Sequence, residues 1–248
     1  MKLILVAGAR PNFMKIAPLM HALKGHSTIQ AVLVHTGQHY DVKMSGQFFE
    51  ELNIPAPDIN LEVGSASHAV QTARIMEGFE KVCLDEKPDA VLVVGDVNST
   101  AACTLVASKM EIKTIHYEAG LRSNDRTMPE EINRLVTDAI SDVFITTSVD
   151  ADDNLLKENI PADKIHMLGN LMIDSLVANL GKAQSTELKF KLLNYDKTIE
   201  IGTDFNPQKY GVMTFHRPGN VDDKESLTKL VQLWGEISEK VPLVFPVH

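Results

Sequence analysis

Short apolar runs alternate with longer segments of helical period along most of the chain. Both faces of each run are apolar and rich in Val, Ile and Leu, as in parallel strands covered by helices on both sides. The predicted strands are 2–8, 31–37, 90–96, 112–118, 142–148, 164–170, 210–216 and 242–248. The predicted helices are 14–25, 68–86, 98–110, 129–141 and 223–240. This repetition predicts an α/β protein with a doubly wound parallel sheet and right-handed crossovers.

The strand–helix pattern weakens after residue 170. The stretch 171–210 is polar, irregular in period and contains Pro and Gly, and a new apolar run then starts a second α/β unit. We therefore expect an N-terminal domain at 1–170, and a linker with a partial C-terminal domain at 171–248. Two strands and one helix cannot close a core at native density. The chain is accordingly expected to be a fragment or the ordered part of something longer.

Charge and composition narrow the classes of function. The chain has 24 basic and 33 acidic residues, a formal net charge of −9. This balance argues against a nucleic-acid or anionic-membrane surface, but it allows a local basic pocket for phosphate. No apolar run approaches the ~20 residues of a membrane span. Cys83 and Cys103 lack metal-ligand spacing and are interpreted as reduced packing residues of a cytoplasmic protein.

Charged and polar residues concentrate where the predicted strands end. In open α/β sheets, ligands bind beyond the carboxyl ends of the strands. The candidates in chain order are Arg10, Lys15, Gln38, His39, Asp96, Glu118, Glu130, Glu131, His216 and Arg217. Because the ends of parallel strands meet at one edge of a sheet, this distribution predicts a single ligand site there.

Each candidate also has a structural interpretation. Arg10 and Lys15 could be solvated residues, although a strand-to-helix junction attracts anions such as phosphate. Asp96 could cap a helix. Glu130 and Glu131 follow a proline, and they could do no more than stabilise the first turn of a helix.

Some candidates are harder to interpret as purely structural. Glu118 closes an apolar strand, where an acid is costly to hold without a purpose. His216 could be a hydrogen-bonded histidine of no special function. His35 and His39 straddle a strand end rather than share one helix face, which disfavours a metal site. No Gly-x-Gly-x-x-Gly or Walker loop is present, so neither a nicotinamide cofactor nor ATP is indicated, and we expect no cofactor.

Six segments together resemble the non-hydrolysing UDP-N-acetylglucosamine 2-epimerases. They are GARPNFMKIAPL, HTGQHYD, GDVNST, HYEAGLRS, MPEEINR and TFHRPGNVDD, in that family's order and spacing across essentially the whole chain. The resemblance implies two Rossmann-like domains in the glycosyltransferase B arrangement, with the active site in the cleft between them. It implies interconversion of UDP-GlcNAc and UDP-ManNAc, by elimination and re-addition of UDP with inversion at carbon 2. A homodimer is the expected assembly.

The resemblance also implies roles for individual residues. Asp96, Glu118 and Glu130 match the family's catalytic carboxylates. The family's groups that hold or stabilise UDP match Arg10, Lys15 and His216. His216 is also a candidate for catalysis, and Arg217 beside it is a candidate for UDP binding.

A possible regulatory site is also implied. Gln38 and His39 resemble parts of a site for a second substrate molecule. Gly219 stands where many bacterial members have Glu, so activation by substrate stays open. Two rival functions also stay open: the hydrolysing reaction, which releases ManNAc and UDP, and a catalytically incomplete chain that retains the fold.

Overall fold

A computed structural model describes residues 1–37, 56–185, 191–194, 197–200, 209–215 and 222–245 of the chain, and it describes only the backbone of Arg10 and of the strands within 191–200. The chain divides into two compact units, Met1–Gln184 and Ser185–His248. How the chain divides into independently folding domains stays a prediction.

The first unit is built on one seven-stranded sheet. Its strands are β1 (Lys2–Ala7), β2 (Gln30–His35), β3 (Ile59–Asn60), β4 (Ala90–Val94), β5 (Lys113–Tyr117), β6 (Val143–Thr146) and β7 (Ile165–Met167). They pair in the order β3-β2-β1-β4-β5-β6-β7, and every pairing is parallel. The strand order reverses between β1 and β4. From β1 the chain proceeds outward to β2 and β3 on one side, and from β4 it proceeds outward to β5, β6 and β7 on the other. This is the topological switch point at which doubly wound sheets bind ligands.

Within the described residues, six helices accompany this sheet. They are α1 (Arg10–Leu23), α2 (His68–Glu86), α3 (Asn98–Lys109), α4 (Pro129–Ile140), α5 (Val149–Lys157) and α6 (Leu171–Ser185), with a 3-10 turn at Ala162–Lys164. Alternate residues of β1 show how the two sheet faces are covered. Ile4 and Val6 belong to a cluster with residues of α2 and α3, whereas Leu3 and Leu5 pack with residues of α1. Burial on both faces explains why the strands read as continuous apolar runs.

A proline inside α1 leaves a carbonyl that another helix satisfies. Pro18 has no amide hydrogen, so the carbonyl of Met14, four residues earlier, lacks its helical donor. The hydroxyl of Ser175 in α6 donates to that carbonyl. At the start of α6, the Tyr117 hydroxyl accepts from the Leu171 amide at 2.7 Å. These two contacts attach α6 to α1 and to the end of β5.

The described part of the second unit contains two strand pairs and one helix. Strands β8 (Lys191–Asn194) and β9 (Lys197–Glu200) form an antiparallel pair. Strands β10 (Gly211–Val212) and β11 (Leu243–Val244) pair in parallel and flank α7 (Lys224–Ser238). The rings of Phe215, Trp234 and Phe245 lie together, with the first two centroids 4.5 Å apart.

The structure confirms the eight predicted strand positions and corrects several details. The last two strands are described over two residues each, and residues 216 and 246–248 of the two predicted seven-residue runs lie outside the described residues. Helix α5 and strand β3 were not predicted from the sequence. The stretch from residue 171, interpreted as irregular, begins instead with the 15-residue helix α6. Within α6 only Ser175 is buried, whereas Ile173, Leu176 and Val177 are more than 60% exposed, so its apolar residues do not mark a single buried face.

Candidate functional site

The loop after β1 is tied to the end of β4 by one buried side chain. Asn12 is only 2% exposed. Its Oδ1 accepts from the amides of Gly8 at 3.0 Å and Ala9 at 2.9 Å, and its Nδ2 donates to the Val94 carbonyl at 3.1 Å. Asn12 thus fixes the loop that leads into α1 at the switch point. Helix α1 begins at Arg10.

A buried ion pair joins this helix to the end of β5. The ammonium of Lys15 contacts the carboxylate of Glu118, with side chains 7% and 16% exposed. Burying either charge alone would be costly, and each compensates the other. Glu118 also has a φ of 73°, which is uncommon for a residue other than glycine. Such a conformation costs on the order of 1 kcal/mol or more and is concentrated at functional sites.

Gly95 gives this ion pair the room that it occupies. Its φ is 70°, and a Cβ added there would lie 3.2 Å from Glu118 Oε2 and 3.3 Å from Lys15 Nζ. A side chain at position 95 would therefore be strained and would press on both charges. The glycine is needed for close approach of the β4 end to the pair.

Asp96 lies in a chain of charges that runs into α4. Its carboxylate pairs with the guanidinium of Arg134, which also donates to Glu131 Oε2 at 2.9 Å. Glu131 is 2% exposed and accepts from the amides of Ser123 at 2.9 Å and Asn124 at 3.0 Å.

The environment of Glu131 keeps it ionised. Burial raises the pKa of its carboxyl, but the Ser123 amide, Arg134 and the Asn124 amide outweigh burial and lower that pKa to about 2. Glu131 therefore holds the turn at 123–124 and orients Arg134 beside Asp96.

Glu130 has a different environment from its neighbour. It is exposed in the first turn of α4 and forms no hydrogen bond or ion pair with any residue that the structure describes. Together with Asp96 it borders a cavity of about 290 Å³. The cavity is lined by Ser65, Ala66, His68, Gln71, Asp96, Val97, Asn98, Pro129, Glu130 and Asn133. Glu130 is thus a carboxylate available to a ligand.

Side-chain amides form the floor of this cavity. Asn133 Nδ2 donates to the Asp96 carbonyl at 2.9 Å and to Asn98 Oδ1 at 3.2 Å. Asn98 Nδ2 donates to Gln71 Oε1 at 2.8 Å and lies 3.1 Å from His68 Nδ1. These groups present donors and acceptors beside Asp96, as polar ligands such as sugars require.

The structure brings Lys15, Asp96, Glu118 and Glu130 to the carboxyl edge of the sheet, as the strand-end argument predicted. Their chemical roles stay predictions. His216, Arg217, Gln38, His39 and Gly219 lie outside the described residues, and so does the side chain of Arg10.

Sequence reasoning missed the partners of the predicted residues. Asn12, Asn133 and Arg134 stand within quoted motifs. The requirement that a buried carboxylate has a donor could have singled out Arg134, whereas Asn12 and Asn133 bond to backbone groups and to another amide, which the sequence does not reveal. His68 and Gln71 gave no signal beyond their place in a predicted helix. Among the described residues, no group of three His, Cys, Asp or Glu could hold a metal ion, and no helix is long and apolar enough to cross a membrane.

The sheet order and the charged pairs at its switch point define a Rossmann-like α/β protein with a polar ligand site. Comparison with known families is more specific. The chain belongs to the UDP-N-acetylglucosamine 2-epimerase family, whose model matches residues 21–248. The residues of the β1–α1 junction, Arg10 and Lys15, precede the matched part.

Individual relatives agree with this assignment. A UDP-N-acetylglucosamine 2-epimerase homolog from Methanococcus maripaludis is 44% identical over all of this chain, which spans 66% of that relative. A UDP-2,3-diacetamido-2,3-dideoxy-D-glucuronate 2-epimerase from Pseudomonas aeruginosa is 41% identical, and the chain spans 67% of it.

A solved structure matches the whole chain. The Methanocaldococcus jannaschii UDP-GlcNAc 2-epimerase, in complex with UDP-GlcNAc and UDP, has a TM-score of 0.85 at 40% identity, covering 100% of this chain and 66% of that one. The likeness confirms the predicted fold class, Rossmann-like α/β of the glycosyltransferase B type.

Proposed function

We propose that this chain carries catalytic residues of an isomerase that interconverts UDP-GlcNAc and UDP-ManNAc. The observation that carries the proposal is the convergence of three carboxylates and a cation at the switch point. Asp96 and Glu130 border one cavity. Glu118 lies beside Gly95 and pairs with Lys15. The family and the named activity of its relatives support the same reaction.

The reaction needs two kinds of groups. A base removes the proton from carbon 2 while the bond from carbon 1 to the diphosphate oxygen breaks, and the electron pair forms the double bond between these carbons. UDP leaves as an anion. A proton then returns to the opposite face of carbon 2, and the UDP oxygen attacks carbon 1 again. General acid–base groups on both faces and cationic support for UDP are therefore required.

We assign the acid–base work to Asp96, Glu118 and Glu130. Lys15, Arg10 and the N-terminus of α1 would support the diphosphate, because a helix N-terminus attracts anions. We retain His216 and Arg217 as groups that hold UDP, and His216→Ala should weaken its binding.

The predictions of a regulatory site, an assembly and a location are retained as proposals. Gln38 and His39 are kept as parts of a regulatory substrate site. We also propose that the protein is a homodimer, which light scattering would detect. The proposed location is the cytoplasm.

One specific observation favours a second substrate. The relative from Pseudomonas aeruginosa is named for a UDP-linked diacetamido sugar acid and is nearly as similar as the relatives named for UDP-GlcNAc. Such a sugar poses the same stereochemical problem at carbon 2. It should therefore be assayed beside UDP-GlcNAc.

Product analysis separates the candidate functions. The chain, beside any longer product of the same gene, would be incubated with each nucleotide sugar and the products resolved by NMR. The proposal predicts UDP-ManNAc from UDP-GlcNAc. Free ManNAc with UDP would indicate the hydrolysing reaction instead. No product from either nucleotide sugar with either protein would contradict the enzymatic assignment.

A further inference from the structure

A fully buried histidine connects the loops that carry Asp96 and Glu118. His116 lies in β5, two residues before Glu118, and its side chain is 0% exposed. Its Nε2 lies 2.9 Å from the carbonyl oxygen of Gly95, the residue before Asp96. Its Nδ1 lies 2.6 Å from Asp138 Oδ1 in α4. The imidazole therefore spans the space between the β4 end and α4, directly behind the site.

Asp138 is itself held from three sides. Its Oδ2 accepts from the Gly120 amide at 3.0 Å and pairs with Arg122 at 2.7 Å. Burial raises the pKa of Asp138, but His116 and Arg122 outweigh burial and lower it. Arg122 also pairs with Glu158 at 2.6 Å. Asp138 is thus an ionised acceptor whose position is fixed by the chain after β5.

Both ring nitrogens of His116 face acceptors. A carboxylate and a carbonyl can each only accept, so both contacts are satisfied when both nitrogens carry hydrogen. The Nε2 hydrogen then donates to the Gly95 carbonyl and sets the orientation of the Gly95–Asp96 peptide. Because the Asp96 side chain is attached directly after this peptide, its carboxylate moves when the peptide rotates.

We propose that His116 is a positioning residue that holds Asp96 in register with Glu118 through the Gly95 carbonyl. It does not touch the substrate and acts through the loop. This inference rests on the proposed function for its kinetic consequence, whereas its structural consequence stands alone. A small displacement of a reacting group can cost about a hundredfold in rate.

Two substitutions separate the two contacts. In His116→Asn, the amide nitrogen can replace Nδ1 and keep the Asp138 contact, but the shorter side chain does not reach the Gly95 carbonyl. In His116→Gln, the amide nitrogen can replace Nε2 and keep the Gly95 contact, but the Asp138 contact is lost. Thr114→Val is the matched control, because Thr114 is also 0% exposed in β5 and its hydroxyl bonds to Asp142 at the opposite end of the strand.

The expected results differ between the variants. His116→Asn should lower kcat roughly ten- to a hundredfold with KM within about threefold, whereas His116→Gln should stay within about threefold of the parent in kcat. Thr114→Val should lower the melting temperature without changing kcat. Equal kcat losses for Asn and Gln at equal folded fraction, or the same loss in Thr114→Val, would overturn the proposal.

Two measurements do not need activity. Crystal structures should show the Gly95–Asp96 peptide displaced relative to Glu118 in His116→Asn and retained in His116→Gln; an undisplaced peptide in the Asn variant overturns the proposal. If the variants do not fold, ¹⁵N NMR of the parent should show hydrogen on both ring nitrogens of His116, and a bare Nε2 would rule out the contact. A parent without epimerase activity contradicts the proposed function alone.

Discussion

Two neighbouring carboxylates in the first turn of α4 have opposite surroundings. Glu131 is buried against the amides of Ser123 and Asn124 and the guanidinium of Arg134. Glu130 is exposed on the cavity that Asp96 also borders. Position in a helix turn could not distinguish these two residues in the sequence, because both sit where acids favour the helix dipole. Their contacts assign a structural role to one and leave the other available to a ligand.

Paired substitutions should separate these roles. Glu130→Gln is expected to lower turnover by roughly a hundredfold, the scale of a lost acid–base group, with little change in the free energy of unfolding. Glu131→Gln should destabilise the fold by about 2 kcal/mol, because a carboxamide cannot accept from both amides and pair with Arg134 as a carboxylate does. Kinetics and urea unfolding of both variants provide the check. A stability loss in Glu130→Gln and a turnover loss in Glu131→Gln would contradict this assignment of roles.

Two glycines with nearly the same φ angle provide a second test at this scale. Gly95 and Gly64 have φ values of 70° and 71°, but a Cβ at Gly64 has no neighbour within 4 Å. Both substitutions to Ala should cost about 1 kcal/mol of strain. Only Gly95→Ala should also press on Lys15 and Glu118 and so reduce turnover by tenfold or more. Equal turnover in the two variants would show that the space at Gly95 is irrelevant to the site.

At the scale of elements, a single described hydrogen bond joins α6 to α1, beside the apolar packing of Leu171. Ser175→Ala would leave the Met14 carbonyl without a donor and should lower the free energy of unfolding by about 1–2 kcal/mol. Pro18→Ala would restore the helical amide donor to the same carbonyl. In that background Ser175→Ala should cost less, by about 1 kcal/mol. Additive effects in this double-mutant cycle would contradict the account of α6.

The elements differ in how far the sequence predicts them. Strands such as β1 and β4 were predicted because burial on both sheet faces makes them continuous apolar runs. Helix α6 was not, because it is held at isolated points, by Ser175, Tyr117 and the packing of Leu171, while its other large apolar residues are mostly exposed. The strand-end rule predicted where Asp96 and Glu118 lie. It could not predict Asp138 as the partner of His116, since that pairing joins residues 22 positions apart.

At the scale of the whole molecule, stability should decline in acid. The pKa of Glu131 is about 2 in the folded chain, below its ordinary value of 4.5, and that of Asp138 is also lowered. A depressed pKa contributes to the free energy of unfolding above the unfolded value and loses that contribution as the pH falls through the folded value. The ionised Glu131 alone contributes about 2–3 kcal/mol, which is lost as the pH falls from 4.5 to about 2.

Urea unfolding at a series of pH values tests this expectation. The parent should lose stability steadily below pH 4.5. Glu131→Gln should be less stable than the parent at pH 7, and the difference should shrink in acid because the parent's carboxylate becomes protonated. A difference that is the same at pH 7 and pH 3 would contradict the ionised role of Glu131.

Proton exchange at carbon 2 of the sugar links the strand-end carboxylates to the reaction most directly. In heavy water, UDP-GlcNAc turned over by the active protein is expected to carry deuterium at carbon 2 of the UDP-ManNAc formed. Asp96→Asn, Glu118→Gln and Glu130→Gln should each slow that incorporation by roughly a hundredfold while UDP-GlcNAc still binds. Product without deuterium at carbon 2 would contradict elimination and re-addition, and full incorporation by all three variants would contradict the assignment of these carboxylates.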